Sequence, residues 1–227
     1  MRVLTLDVGN TSVDVCLFEG SLKYVGKHSH RDVPLLSADL VLVSSVKPSA
    51  NNTILEKYPY ARFIRAEDVP LQTAFEGKER VGIDRLLNLY GAVQLFSKDV
   101  VVVSFGTAVV LDLAIDGIFQ GGFITLGVGT GLECLSQRAE LIPKLELKKT
   151  IATIGRDTET AILGGFYKQY FYFLEGCLRE WQKAYGKSLS LVLTGGDGWL
   201  FEELGIYEPL LIHKAMLLLS GFYSKPL

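Results

Sequence analysis

The chain has little cysteine, little net charge and no long uninterrupted apolar run. Its three cysteines, Cys16, Cys134 and Cys177, are scattered, odd in number and match no metal-ligand spacing. Buried, reduced thiols in a cytoplasmic protein are the expectation. A net charge of −2 over 227 residues, with no basic tail and no block of like charge, leaves no electrostatic footprint for nucleic acid. The most apolar late stretch, LLIHKAMLLLSGFY, is broken by His213 and Lys214. It falls short of the roughly 20 apolar residues that cross a bilayer, so no membrane partner is expected. Residues 2–8 are interrupted by Asp7 and followed by no small-residue cleavage site, so no targeting segment is read there. Two common nucleotide patterns are missing as well. No G-x-x-x-x-G-K-[ST] loop occurs, and after Gly127 and Gly129 the dinucleotide spacing fails at Leu132.

What is present is apolar and alternating. A hydrophobic content of 48% is ample for a sizeable core. Short β-branched runs predict strands at RVLTLDV, VDVCLF, LKYVGKH, LVLVSS and ARFIRA, and again at VVVVSF, AVVLDLAI, GIFQGGFIT and LSLVLTGG. Helical spacing marks SANNTILEKY, with Ser49 a candidate N-cap, and IDRLLNLYGAVQLFS, with Asp84 a cap or first-turn acid. Further helices are predicted after Gly127–Gly131, from Asp157–Thr158 to about Tyr185, and over the closing PLLIHKAMLLLSGF, which Pro209 can start. The pattern strand, glycine turn, strand opens the chain and restarts after Lys98-Asp99. The expectation is α/β, with mixed sheets, in two related halves at 1–97 and 98–227.

The two glycine turns, DVGNTS and SFGTA, share one plan but differ by a carboxylate: Asp7 stands where Ser104 stands later. Two readings of such a turn are open. A hairpin glycine can simply supply positive φ. Alternatively, small residues let an anion approach successive backbone N–H groups, with Thr11 and Thr107 adding donors. Two such turns facing each other would hold a polyphosphate. Asp7 would then need a divalent cation between itself and the phosphates, directly or through water. The turn after LVLT, with Gly195 and Gly196, is either an ordinary strand-to-helix turn or a place for a nucleoside to lie on the backbone.

In order along the chain, DVGNT, VGIDRLLNLYGA, SFGTAVVLD, GGFITLG, GRDTETAILGG and TGGDG resemble the motifs of type III pantothenate kinases. The resemblance covers most of the chain. It implies membership of the superfamily of acetate kinase, sugar kinases, heat-shock ATPases and actin, whose fold is a duplicated ribonuclease H-like (actin-like ATPase) domain. The implied activity is ATP-dependent phosphorylation of pantothenate, the first step of coenzyme A synthesis. Carried over by position, Asp7, Val8, Gly9, Asn10, Thr11, Ser12, Val13 and Asp14 make a first phosphate loop, with Asp7 near Mg²⁺. Phe75, Gly82, Ile83, Asp84, Arg85 and Thr158 bind pantothenate, with Asp84 the proton acceptor. Gly106 and Thr107 form a second phosphate loop, and Gly195 and Gly196 an adenosine loop. A homodimer is also implied.

The chain departs from the family at several places. Ser104 replaces an Asp that binds a monovalent cation, K⁺ or NH₄⁺, and so weakens that expectation. Leu126 replaces a proline, Phe75 a tyrosine, and Lys78 a proline. Two alternatives stay open: a non-catalytic regulatory or accessory protein of the same fold, and a kinase for another small alcohol.

Overall fold

The computed structural model describes residues 1–150 and 152–223. Two compact units divide the chain. Unit 1 gathers Met1–Lys98, Ala114–Gly121 and the closing segment from Leu210; unit 2 holds Asp99–Leu113 and Gly122–Pro209.

Unit 1 is built on strands β1 (Val3–Val8), β2 (Val13–Phe18), β3 (Leu22–His28), β4 (Leu40–Ser45) and the short β5 (Arg62–Phe63), in the order β3-β2-β1-β4-β5. β1 and β2, and β2 and β3, run antiparallel; β4 is parallel to β1 and β5 to β4. The period of two sorts the side chains. Leu4, Leu6 and Val8 join Val13, Val15, Val41 and Val43 in one apolar core, closed by Ala50 and Ile54 of α1 (Pro48–Lys57). The opposite face carries Thr5, Asp7, Asp14 and Ser44. There the Thr5 hydroxyl meets His213 Nδ1 at 2.8 Å, on the closing helix α5 (Leu211–Leu219). Helix α2 (Ile83–Leu95) packs beside α5. Gly91 permits that approach, because a Cβ there would stand 3.0 Å from the Ala215 Cβ. Unit 1 also holds β6 (Gln72–Thr73), parallel to Ile118 and Phe119.

Unit 2 repeats the plan. Strands β7 (Val100–Phe105), β8 (Ala108–Ile115), β9 (Ile118–Leu126), β10 (Ser190–Gly195) and β11 (Ile206–Tyr207) follow the order β11-β10-β7-β8-β9-β6, the end of β8 and the start of β9 being counted with unit 1. β10 is parallel to both β7 and β11. In each unit the first strand has its hairpin partners on one side and two later parallel strands on the other, which is a duplicated ribonuclease H-like architecture. β8 and β9 turn at Asp116 and Gly117, both with positive φ (53° and 77°), as a tight hairpin requires. Helices α3 (Val128–Arg138) and α4 (Thr158–Tyr185) complete the unit. Asp157 caps α4 by accepting the Thr160 N–H at 2.8 Å, and Gly186 ends it in the left-handed conformation.

Several boundaries differ from expectation. The split after residue 97 lies beside the break after Lys98, but 114–121 and the closing helix fold with unit 1. The reason is burial: Leu211, Ala215 and Met216 lose nearly all exposure there. Ser49 is not the cap of α1, which begins at Pro48 with Lys47 ahead of it. Pro209 precedes the Leu210 cap of α5 and so stands outside its first turn. The strand expected over ARFIRA keeps only Arg62–Phe63, because the chain winds into a 3₁₀ turn at Ala66–Asp68. Cys134 is exposed; only Cys16 and Cys177 are buried, and all three thiols are free.

Candidate active site

In unit 1 the carboxylates gather where β1 and β4 end. Asp7 is the penultimate residue of β1, opposite Asp14 on β2 and Ser44 on β4. The shared period places all three side chains on one face. Asp84, in the first turn of α2, adds its charge to the same place. Asp7 is lifted from 3.8 to about 7, chiefly by burial and next by repulsion from Asp84; the Ser44 hydroxyl opposes the rise. Burial also raises Asp84, against backbone N–H donors at its own helix start and the Arg85 guanidinium. Gly82 makes room for this: a Cβ there would stand 2.5 Å from the Asp84 Oδ1. Glycine at this N-cap therefore lets the carboxylate fold back over the helix terminus, where the peptide dipoles favour negative charge. Asp14 is held apart by the Tyr24 hydroxyl, which donates at 2.8 Å, and by Lys27 at 3.8 Å.

The first glycine turn spans Gly9–Ser12. Neither conformation nor packing demands glycine at position 9. Gly9 is not among the glycines with positive φ, and a Cβ would meet only the Ser12 carbonyl, at an ordinary 3.4 Å. Gly106 is the same case, with nothing nearer than the Ala108 carbonyl at 3.8 Å. The simple turn reading therefore explains neither glycine. Val8 and Val13 turn their side chains into the core and present only main chain. Asn10 and Thr11 are exposed at the tip.

Phe75 and Arg85 meet through a third residue. The Phe75 ring packs edge-on against Phe119 at 5.2 Å, and the Arg85 guanidinium lies 5.7 Å from the same ring. Phe75 keeps an exposed surface while Phe119 is fully buried. Ile83 is buried, so of that motif Gly82, Asp84 and Arg85 are the accessible members.

In unit 2, Ser104 is the penultimate residue of β7, as Asp7 is of β1, and pairs in register with Thr194 of β10. The second turn, Gly106–Thr107, is two residues shorter than the first. The start of α3 closes over it: the Gly127 N–H and the Thr130 hydroxyl both donate to the Thr107 carbonyl at 3.0 Å. A side chain at Gly127 would collide with the Gly106 carbonyl. Gly195 has a φ of 85°, and a Cβ there would collide with the Phe105 carbonyl, so the backbone alone accounts for that glycine. Gly196 follows in the turn. Thr158 lies exposed in the first turn of α4. The structure thus groups Asp7, Asp14, Asp84 and Arg85 with the first loop in unit 1, and Ser104, Gly106, Thr107, Gly195 and Gly196 in unit 2.

Sequence reasoning missed Ser44, Asn88, His30 and Lys47. Ser44 was findable, since LVLVSS is the parallel neighbour of the Asp7 strand. Its buried hydroxyl makes no well-formed hydrogen bond, and neither does Oδ1 of Asn88, one helical turn past Asp84. His30 and Lys47 hold the Gly9 and Asn10 carbonyls at 2.9 and 2.7 Å, from positions that no spacing rule links to the loop.

The donor set suits Mg²⁺ in one form only. Among the described residues no group of three or more His, Cys, Asp or Glu side chains is placed to hold a metal. A repelling pair, Asp7 and Asp84, fits a hydrated ion that takes one or two carboxylates and completes its shell with water and phosphate.

The family model for type III pantothenate kinase matches residues 3–180. The chain is 40% identical over 231 residues to the type III pantothenate kinase of Aquifex aeolicus, covering 99% of this chain and all of that one. It is 32% identical to the enzyme of that name from Sphingopyxis alaskensis, over 88% of this chain and 89% of the relative. Among solved structures, a protein described as a Baf family transcriptional activator from Campylobacter jejuni superposes with a TM-score of 0.70 at 20% identity, over 96% and 97% of the two chains, and shares the fold. With the glycine turns, the GIDR helix start and the duplicated sheet all in place, the chain belongs to the type III pantothenate kinase family.

Proposed function

We propose that this protein transfers the γ-phosphoryl group of ATP to the primary alcohol of pantothenate, giving 4′-phosphopantothenate and ADP at the entry to coenzyme A synthesis. The observation that carries this is the half-buried, repelling Asp7–Asp84 pair at the strand ends of a chain of this family.

Each carboxylate has a separate task. Asp84, raised by burial, accepts the hydroxyl proton as the alcohol oxygen bonds to the γ-phosphorus and the bond to the β–γ bridging oxygen breaks. Such a base contributes typically 10²–10⁴-fold. Arg85 supplies positive charge to the substrate or the transferring phosphoryl group, and Phe75, Gly82 and Ile83 shape the alcohol's surroundings. Asp7 would hold Mg²⁺, directly or through water, and the ion when bound would neutralise phosphate charge. The loop Gly9–Ser12, with the backbone of Val8 and Val13 and with Asp14 behind it, offers N–H groups to phosphate; Gly106 and Thr107 do the same in unit 2. Gly195 and Gly196 take the adenosine, and Thr158 contacts pantothenate.

The monovalent-cation position is degenerate. Ser104 and its neighbour Thr194 offer neutral oxygens where the family has a carboxylate, so K⁺ or NH₄⁺ binds weakly there. A homodimer is supported by exposed Phe123, Ile124 and Leu126 on β9 and exposed Tyr172 on α4, with Phe123 stacked on Trp181 at 5.5 Å. Among the described residues no helix is long and apolar enough to cross a membrane. Three free thiols accord with the reducing cytoplasm.

Mass spectrometry of a reaction containing purified protein, MgATP and a panel of small alcohols tests the reading. Phosphorylated pantothenate as the dominant product supports it. A clear preference for a different alcohol, or ATP bound with no product, overturns it.

A further inference from the structure

Two basic side chains brace the first glycine turn at consecutive carbonyls. His30 Nε2 lies 2.9 Å from the Gly9 oxygen, and Lys47 Nζ lies 2.7 Å from the Asn10 oxygen. A carbonyl only accepts, so Nε2 carries the proton, in the neutral tautomer or in the imidazolium. Among the described residues no peptide bond is cis. In a trans peptide the C=O of one residue and the N–H of the next point in opposite directions. Holding the Gly9 carbonyl on His30 therefore turns the Asn10 N–H away from His30. Holding the Asn10 carbonyl on Lys47 turns the Thr11 N–H away from Lys47. With both carbonyls held, the peptide planes of the turn keep fixed orientations, and their N–H groups keep fixed directions.

Both braces are themselves anchored. Lys47 follows Val46, whose N–H donates to the Val8 carbonyl at 3.0 Å. The Lys47 N–H rests on the Ser45 hydroxyl at 3.3 Å, which donates in turn to Asn51 at 2.6 Å, and Pro48 then begins α1. His30 follows β3, whose His28 pairs with Val13 at the far side of the turn. Neither brace depends on a flexible tail.

We propose that His30 and Lys47 are positioning residues that hold the peptide planes of the Gly9–Ser12 turn in one orientation for a nucleotide phosphate. This rests on the reading of Gly9–Ser12 as a phosphate loop. Without the braces the turn samples other peptide orientations, and ordering them again on binding weakens affinity for ATP without touching the chemical step.

The test uses the full chain, with steady-state kinetics at saturating pantothenate and calorimetry with a non-hydrolysable ATP analogue. Lys47→Met and His30→Leu each raise the ATP KM and the analogue Kd by about tenfold, the factor set by one hydrogen bond of ordinary net strength. kcat and the pantothenate KM stay within about twofold, as expected when only nucleotide binding is weakened. Lys47→Arg and His30→Gln, which keep a donor, recover most of the affinity. Wild-type Kd in the Met and Leu variants overturns the proposal, as does loss of kcat at unchanged Kd, or no recovery in the donor-keeping variants. If wild-type protein binds the analogue but does not phosphorylate pantothenate, the proposed activity fails while the braces are still judged on Kd. If it does not bind the analogue, both fail.

Discussion

Removing the charge of Asp7 should stabilise the protein at neutral pH and expose a hidden pH dependence. The Asp7 carboxyl moves from 3.8 to about 7 on folding. Below 3.8 it is neutral in both states and costs nothing. As pH rises from 3.8 to about 7 the unfolded chain ionises first, so stability falls; above 7 the loss is complete. That rise corresponds to about 4 kcal/mol, a ceiling because part of the Asp7 surface stays accessible. His213 acts in the opposite sense. It is fully buried against Thr5 and drops from 6.5 to about 3, so its stability is present above 6.5 and lost as pH falls toward 3. Between about pH 4 and 6.5 the two slopes, each up to about 1.4 kcal/mol per pH unit, cancel. Urea unfolding from pH 4 to 8, without nucleotide, should therefore show these two contributions offsetting in the wild type. Relative to the wild type, Asp7→Asn should gain stability as pH rises over that window. At pH 8 the variant should be more stable by up to about 4 kcal/mol, or a melting temperature about 8–16 °C higher. A variant that is less stable at pH 8, or whose curve runs parallel to the wild type, would refute the burial argument for Asp7.

Three further perturbations address the site. Asp84→Asn should lower kcat by about 10²–10⁴-fold in a coupled ADP assay while leaving the circular dichroism spectrum unchanged; near-normal turnover would remove Asp84 from the proton-transfer role. Gly9→Ala should leave the melting temperature nearly unchanged, because its Cβ meets only an ordinary contact, yet raise the ATP KM; a large loss of stability with normal KM would restore the purely structural reading of that glycine. Initial rates of the wild type should differ little among Na⁺, K⁺ and NH₄⁺, and Ser104→Asp should introduce a preference for K⁺; a strict K⁺ requirement in the wild type would place the ion on carbonyl and phosphate oxygens alone.

Legibility in the sequence followed the range of the forces involved. The strands of β1, β2, β4, β7 and β10 were readable because each is a short β-branched run bounded by turn residues, and the long α4 because Asp157 and Gly186 mark its ends. The carboxylates were readable as motif members. Their lateral arrangement was not, since Asp14 and Ser44 join Asp7 only through strand register. The placement of α5 in unit 1 depends on burial against β1 and α2, distant in sequence, as the Thr5–His213 contact across 208 positions shows. His30 and Lys47 escaped notice for the same reason: a side chain reaching a carbonyl in another loop leaves no periodic trace. The small-residue turns gave one signal for glycines that backbone conformation separates. Gly195 is needed for its positive φ, and Gly9 and Gly106 are not.

The most direct test of the central claim is the rate of pantothenate-dependent ADP formation from MgATP, measured side by side for wild type and Asp84→Asn in each of Na⁺, K⁺ and NH₄⁺. The structure predicts robust wild-type turnover in all three salts, 4′-phosphopantothenate formed one-for-one with ADP, and near-loss of both in the variant. ADP formation that is independent of pantothenate, or indistinguishable from background in every salt, would contradict it.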